Sequence, residues 1–317
     1  MPAESDVVIR ATALAKSYGG FEALRGIDLE VRRGEVLALL GPNGAGKTTA
    51  VEILEGYRTR DGGDVSVLGH DPARRERSMR ARIGIVLQEC AVEPYLTVVE
   101  ALTQRAGLYD HPRGVDEVVG LVGLDAKATS RVKTLSGGQQ RRLDLGLALV
   151  GDPELIFLDE PTTGFDPSAR REAWEVVRDL CAEGRTVLLT THYMDEAQAL
   201  ADTVVVLAGG RVVATGPPDT LGGRDQGMST VRFVLPDGVG LADVPLPTGT
   251  DARMRAGFVE FAVPEPTAAL HALTRWALDR GEGLSGLAVE RPSLEDVYLA
   301  LTDESAADSP TSGEGQS

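Results

Sequence analysis

Three short segments have the residue types and spacing for phosphate chemistry. The first is Gly41-Pro42-Asn43-Gly44-Ala45-Gly46-Lys47-Thr48-Thr49, which follows the apolar run Val36 to Leu40 and opens the helix-compatible stretch Thr49 to Leu54. A glycine-rich loop between strand and helix can curl so that its N–H groups face phosphate oxygens, and the helix N-terminus adds partial positive charge. In that pattern Lys47 reaches the β- and γ-phosphates and the Thr48 hydroxyl ligates Mg2+. The second is Leu155-Ile-Phe-Leu-Asp159-Glu160, an apolar strand ending in two carboxylates. Acids are costly inside a buried strand, but at its C-terminal tip they face the crevice where α/β sheets bind ligands. There Asp159 can hold Mg2+ through water, and Glu160 can orient or deprotonate an attacking water. Taken alone, two acids at a strand end are as often solvated surface groups; their place downstream of the phosphate loop favours the catalytic reading. The third is Leu135-Ser136-Gly137-Gly138-Gln139, ahead of the helix-compatible run Gln140 to Val150. It forms a second phosphate-binding edge at a helix N-terminus, and one γ-phosphate does not need two such edges from one chain.

These segments must be positioned by a larger frame. From about Val7 to Thr220 short β-rich runs (Val36 to Leu40, Ile83 to Leu87, Leu155 to Leu158, Thr186 to Thr190, Val204 to Leu207) alternate with helix-compatible stretches. That pattern predicts an α/β domain around a largely parallel, buried sheet. Between Leu87 and Leu155 the strand signal stops. Thr97-Val-Val-Glu100 reads as a capping box ahead of Ala101, Leu102, Ala106 and Leu108, so a helical subdomain is expected over about 89–153. The Gly-rich run from Leu221 to Gly227 reads as a linker ending a first domain over 1–222. A small α+β domain is expected over 223–303. Its strands are Thr230 to Leu235 and Phe258 to Val263, a helix runs from Thr267 to Arg280, and Ser293-Leu-Glu-Asp296 forms a second capping box. Residues 304–317, acidic and poor in large apolar side chains, read as a disordered tail.

Composition narrows the choice of partner. The 317 residues carry 48 acidic against 32 Lys and Arg side chains, a formal charge of −16, which argues against a nucleic-acid-binding surface. Cys90 and Cys181 lie far apart without metal-ligand spacing and read as two inert thiols. No secretory signal opens the sequence, and its apolar runs are strand-length, far short of the roughly 20 residues a bilayer needs.

With the three segments in this order, the chain resembles the ABC ATPases. In that family the Ser-Gly-Gly-Gln element is the signature motif, and two domains dimerise head to tail so that each signature closes on ATP held by the other chain. The resemblance implies a P-loop NTPase fold, ATP and Mg2+ as ligands, and further site residues. Tyr18 matches the aromatic that stacks on adenine. Gln88 matches the glutamine near Mg2+ and the nucleophilic water, and His192 the switch histidine on the γ-phosphate. Gly164-Phe165-Asp166-Pro167 matches the loop at the dimer seam, with phenylalanine where leucine is usual. Gln88 to Leu96, Gly164 to Arg171, Thr191 to Ala197 and Arg291 to Leu299 further resemble the daunorubicin-resistance-type ATP-binding subunits of drug exporters. That branch implies a peripheral subunit on the cytoplasmic face of the membrane, working with a separate transmembrane permease. A nutrient importer's ATPase would share every catalytic residue. A soluble relative acting on ribosomes or DNA is disfavoured by the single phosphate loop, the absence of sustained heptads and the acidity.

Overall fold

The computed structural model describes residues 6–86, 92–223, 227–236 and 238–299. The chain folds as two compact units, divided in sequence between Pro218 and Asp219. Leu221, inside the run expected to be a linker, is buried and belongs to the second unit.

The first unit runs through β1 (Val7–Tyr18), β2 (Phe21–Arg32), β3 (Val36–Leu40), α1 (Lys47–Leu54), β4 (Gly62–Val67), α2 (Arg77–Arg80) and β5 (Ile83–Val86). It continues with α3 (Val98–Ala106), α4 (Val115–Leu121), α5 (Gly137–Leu149), β6 (Leu155–Asp159), α6 (Pro167–Ala182), β7 (Thr186–Thr191), α7 (Met194–Leu200), β8 (Thr203–Ala208) and β9 (Arg211–Gly216). Its main sheet has six strands in the order β5-β6-β7-β3-β8-β9. All neighbours are parallel except β9, which runs antiparallel to β8. Every residue of β3 and β7 is buried, as expected for central strands covered on both faces. Because β6, β7 and β3 are consecutive neighbours, the loops that leave their C-terminal ends share one edge of the sheet, where α/β folds place their ligands.

A second, antiparallel sheet, β2-β1-β4, was not legible in the sequence. Its long strands carry register shifts and many exposed positions, which blur the alternation. Its inner residues Ile9, Leu14, Leu24 and Val31 pack with Ile53 and Leu54 of α1, so the phosphate-loop helix is clamped between two sheets.

Between β5 and β6 lies a helical insertion, α3 to α5. The Thr97 hydroxyl accepts from the Glu100 N–H at 3.2 Å, and the Glu100 carboxylate accepts from the Thr97 N–H at 2.8 Å, so the expected capping box forms. A Cβ on Gly146 would sit 3.3 Å from Leu102 and Val118, so glycine lets α5 lie close against α3 and α4. Leu108, expected on the buried stripe, lies beyond the end of α3 and is exposed.

The second unit is a four-stranded antiparallel sheet built from β10 (Ser229–Phe233), β11 (Arg253–Arg255), β12 (Phe258–Val263) and β13 (Ala288–Glu290), in the order β11-β12-β10-β13. Helix α8 (Pro266–Asp279) shares a core with it, in which Leu273 meets Val231, Phe233 and Phe261. Ser293 and Asp296 cap a helical turn over 294–299 reciprocally, at 2.8 and 3.1 Å. The expected tail at 304–317 lies outside the described residues.

Candidate active site

The loop after β3 is fixed by its packing. Gly46 caps α1 with a φ of 106°, and a Cβ there would come within 2.5 Å of the Ala23 carbonyl. A Cβ on Gly41 would meet the Leu207 carbonyl at 2.5 Å. Only glycine allows this approach. The Lys47 ammonium, 7% exposed, donates to the carbonyls of Gly41 at 2.6 Å and Pro42 at 3.2 Å. Burial pulls its pKa below the usual lysine value, and the charges of Glu160 and Asp159 partly oppose that shift. Asn43, Gly44 and Thr48 are exposed at the mouth of the loop, while Ala45 is buried and Thr49 half-buried.

Asp159 ends β6 opposite Thr190 of β7, whose hydroxyl donates to its carboxylate at 2.5 Å. Glu160 follows with φ 45°, a left-handed conformation that costs an ordinary residue on the order of 1–3 kcal/mol. Its N–H donates to the Thr190 carbonyl at 3.1 Å. The Arg141 guanidinium, reaching over from α5, donates to the carbonyls of Asp159, Glu160 and Pro161 at 2.9, 3.3 and 3.2 Å. So held, the Glu160 carboxylate lies 3.2 Å from His192 Nδ1 and accepts from the Thr163 hydroxyl at 3.2 Å. Lys47, Asp159, Glu160 and His192 therefore gather at the tips of three adjacent strands. Arg141, Thr190 and Thr163 were not singled out in the sequence. Thr190 was within reach, because parallel pairing sets a strand-end threonine beside a strand-end acid; Arg141 gives no signal beyond a basic residue one turn into α5.

The Ser136 element stands apart, on the helical insertion. Ser136 and Gln139 cap each other: the Ser136 hydroxyl accepts from the Gln139 N–H at 3.3 Å, and Gln139 Oε1 accepts from the Ser136 N–H at 3.0 Å. Added Cβ atoms on Gly137 and Gly138 would touch nothing within 4 Å, and neither residue has a positive φ. Glycine in a helical turn costs about 0.5–1 kcal/mol relative to alanine, and the packing within this chain gives no return for it. A groove of about 690 Å³, lined among others by Gly137, Gln140, Glu160 and Thr163, separates this element from the acidic strand tip.

Tyr18 ends β1 and is 37% exposed, flanked by Lys16 and Arg58 at 5.4 and 5.3 Å from its ring centre. Its ring contacts lie on the hairpin and on the segment after α1 rather than on the phosphate loop. Asp166 caps α6, accepting from the N–H groups of Ser168 and Ala169 at 2.8 and 3.0 Å. Gln88 and Cys90 lie outside the described residues. Burial, then the charge of Asp202, pushes the Cys181 thiol up to about 11, so it stays protonated and inert.

The donor set suits Mg2+: the Thr48 hydroxyl, next to Lys47, and the Asp159 carboxylate are hard oxygens at the same sheet edge, and Mg2+ prefers few protein ligands with substrate phosphates completing its shell. Among the described residues no three His, Cys, Asp or Glu side chains form an all-protein cage, and no helix is long and apolar enough to cross a membrane.

Comparison with known proteins agrees with this geometry. Residues 24–163 match the ABC transporter family, and residues 229–293 match the C-terminal domain of ABC transporter domain-containing proteins. The chain is 40% identical to the daunorubicin resistance ATP-binding protein DrrA2 of Streptomyces coeruleorubidus, over 93% of this chain and 94% of that one. It is 37% identical to the Nod factor export ATP-binding protein I of Paraburkholderia xenovorans, over 96% and 99% of the two chains. Among solved structures, cbiO1 of Clostridium perfringens, part of an ABC transporter complex, superposes with a TM-score of 0.62 at 29% identity, covering 68% of this chain and 90% of that one. The phosphate loop, the acidic strand tip and the likeness over nearly the whole chain to both ATP-binding proteins together assign this chain to the ABC transporter family, as an ATP-binding and ATP-hydrolysing subunit.

Proposed function

We propose that this subunit energises export of a hydrophobic small molecule, of the drug or secondary-metabolite class, through a separate membrane permease, and that it works as a head-to-tail pair on the cytoplasmic face of the membrane. The observation that carries the pairing is the contrast between Lys47, Asp159, Glu160 and His192, gathered at one sheet edge, and Gly137 and Gly138, whose open faces serve no contact in their own chain. In each composite site Gly41 to Thr49 of one chain bind the phosphates and Tyr18 stacks on adenine, while Ser136 to Gln139 of the other chain close over the γ-phosphate. Thr48, Asp159 and Gln88 would hold Mg2+, which would supply neutralisation of phosphate charge. Glu160 takes the proton of the attacking water, and His192, 3.2 Å from it, orients that carboxylate and contacts the γ-phosphate. Thr190 and Arg141 hold the strained turn at Glu160, so the base does not have to be ordered during the reaction.

The names of the relatives support export over import, since both carry export or resistance in their descriptions. They name different cargoes, and the ATPase does not form the translocation path, so the drug-type substrate rests on the higher identity and the terminal Arg291 to Leu299 stretch.

A groove of about 1010 Å³ between the sheet and the helical insertion is lined by Tyr57, Arg77, Ile83, Glu93, Leu108 and Tyr109. Tyr57, Leu108 and the nearby Tyr95 are exposed, a concentration of apolar surface that marks a protein contact. We place the permease there. Charge reversal at Glu93 together with a bulky change at Pro94 should release the subunit from membranes and stop transport; retention of both would refute that placement.

The test of the whole reading is to trap tagged Glu160→Gln chain with ATP in native membranes and identify what co-purifies. A multi-span membrane protein at comparable stoichiometry is expected. Ribosomal or DNA-bound proteins without a membrane partner would leave the ATPase chemistry intact and overturn the transport role.

A further inference from the structure

A separate cavity of about 260 Å³ lies on the far side of β6 from the phosphate loop, between α4 and α5 of the helical insertion and α6 and α7 of the core. Leu145, Leu158, Phe165, Trp174, Val177 and Leu200 give it an apolar wall. Glu196 of α7 also lines it and is wholly buried. One carboxylate oxygen of Glu196 accepts from the Thr162 hydroxyl at 2.8 Å and from the Trp174 indole N–H at 3.1 Å; the other has no partner among the described residues. A buried carboxylate oxygen without a donor is costly, and native interiors seldom leave one so.

The neighbouring cations are committed elsewhere. Arg141 donates to the carbonyls of 159–161, and Arg142 pairs with Glu172. Glu175 and Asp179 add further negative charge to the lining, making four carboxylates against two guanidiniums. A bare metal ion would need several converging oxygen ligands, and among the described residues no three His, Cys, Asp or Glu side chains form such a group. A water would need two to four polar partners, and the wall is largely apolar. The combination of an apolar wall, one buried carboxylate oxygen without a donor and an excess of acidic side chains in the lining suits a protonated amine carrying a small apolar body.

We propose that this cavity is a binding site for a small amphipathic amine, with the ammonium donating to Glu196 and the apolar body lying against Trp174, Phe165 and Leu145. Glu196 is fully covered, so entry needs a side chain of the wall to rotate aside. The ligand would bridge the helical insertion and the core, and through Thr162 it would bear on the turn that holds Glu160. Binding is independent of the role given to Glu160; only an effect on turnover rests on it.

The full-length chain with Trp276→Phe leaves Trp174 as its one tryptophan. Its emission is followed during titration with 2-phenylethylamine and, in parallel, with the neutral 2-phenylethanol, each checked by calorimetry. The amine is expected to bind saturably and about tenfold more tightly than the alcohol, the worth of a charged hydrogen bond. Glu196→Gln should erase that preference. If that variant does not fold, the amine–alcohol difference in the parent chain still decides. Equal affinity for the two compounds, or saturation by neither, would overturn the site and leave the carboxylate satisfied by water. Bound amine should also change the ATP hydrolysis rate; amine that binds without doing so would keep the site and overturn its coupling through Thr162 to the Glu160 turn.

Discussion

Two helix N-termini in this subunit are proposed to face phosphate, and they are built differently. The loop before α1 is embedded: Gly41 and Gly46 touch backbone carbonyls, Lys47 bonds its own loop, and α1 is gripped by two sheets. The turn before α5 is bare: Ser136 and Gln139 satisfy each other, and a Cβ added at Gly137 or Gly138 would meet nothing within 4 Å. The first is a finished half-site whose glycines the fold itself requires. The second keeps glycines that its own chain does not need, which is the mark of a surface shaped for something outside the chain.

Alanine substitutions should split the two. Gly46→Ala forces a side chain into a φ of 106° and against the Ala23 carbonyl, and should cost about 3 kcal/mol or more in urea unfolding. Gly138→Ala should leave stability unchanged or raise it by about 0.5–1 kcal/mol, yet lower ATP turnover by on the order of tenfold or more through loss of close approach. Loss of stability at Gly138 equal to that at Gly46 would erase the distinction.

The embedded side should also carry a pH signature. Burial, then the charges of Asp159 and Glu52, raises the Glu55 carboxyl at the end of α1 from 4.5 to about 8. The folded chain therefore holds a proton that the unfolded chain has released, so Glu55 makes stability fall as pH rises from about 4.5 to about 8 and adds no further slope above that. Glu55→Gln should accordingly gain on the parent across that window, by on the order of 1–3 kcal/mol at its upper end, measured without nucleotide. A constant difference between pH 5 and pH 8.5 would show that the carboxyl ionises normally.

The smallest expected effect compares two capping boxes. Ser136→Ala and Thr97→Ala should each cost about 1 kcal/mol of stability. Only Ser136→Ala should also reduce ATP turnover, since α3, which Thr97 caps, is not part of the proposed composite site.

Much of this was legible in the sequence because the strongest local signals coincide with the chemistry. The apolar run ending at Leu40 with glycines after it, and the run ending in Asp159-Glu160, each state a buried strand and the nature of its tip. The capping residues at Thr97 and Ser293 located their helix starts to the residue, whereas the helix expected from Gln140 starts at Gly137, with Ser136 as its cap. The antiparallel sheet of β1, β2 and β4 stayed hidden because bulges break its alternation. The supports of the site were equally hidden: Arg141 binds backbone carbonyls, and no side-chain pattern records where a carbonyl turns. The left-handed Glu160 was invisible for the same reason. The unit boundary fell at Pro218 rather than at the glycines, because Leu221 is a core residue inside an otherwise linker-like run.

The most direct test of the composite site is the mass of the Glu160→Gln chain in sedimentation equilibrium with ATP and Mg2+, beside the same chain carrying Gly138→Asp as well. The expected result is an ATP-dependent dimer for the first and a monomer for the second, with both binding ATP equally well. Dimerisation that ignores the substitution at Gly138 would mean that the open glycine turn does not close on a neighbour's nucleotide, and the site would have to be complete within one chain.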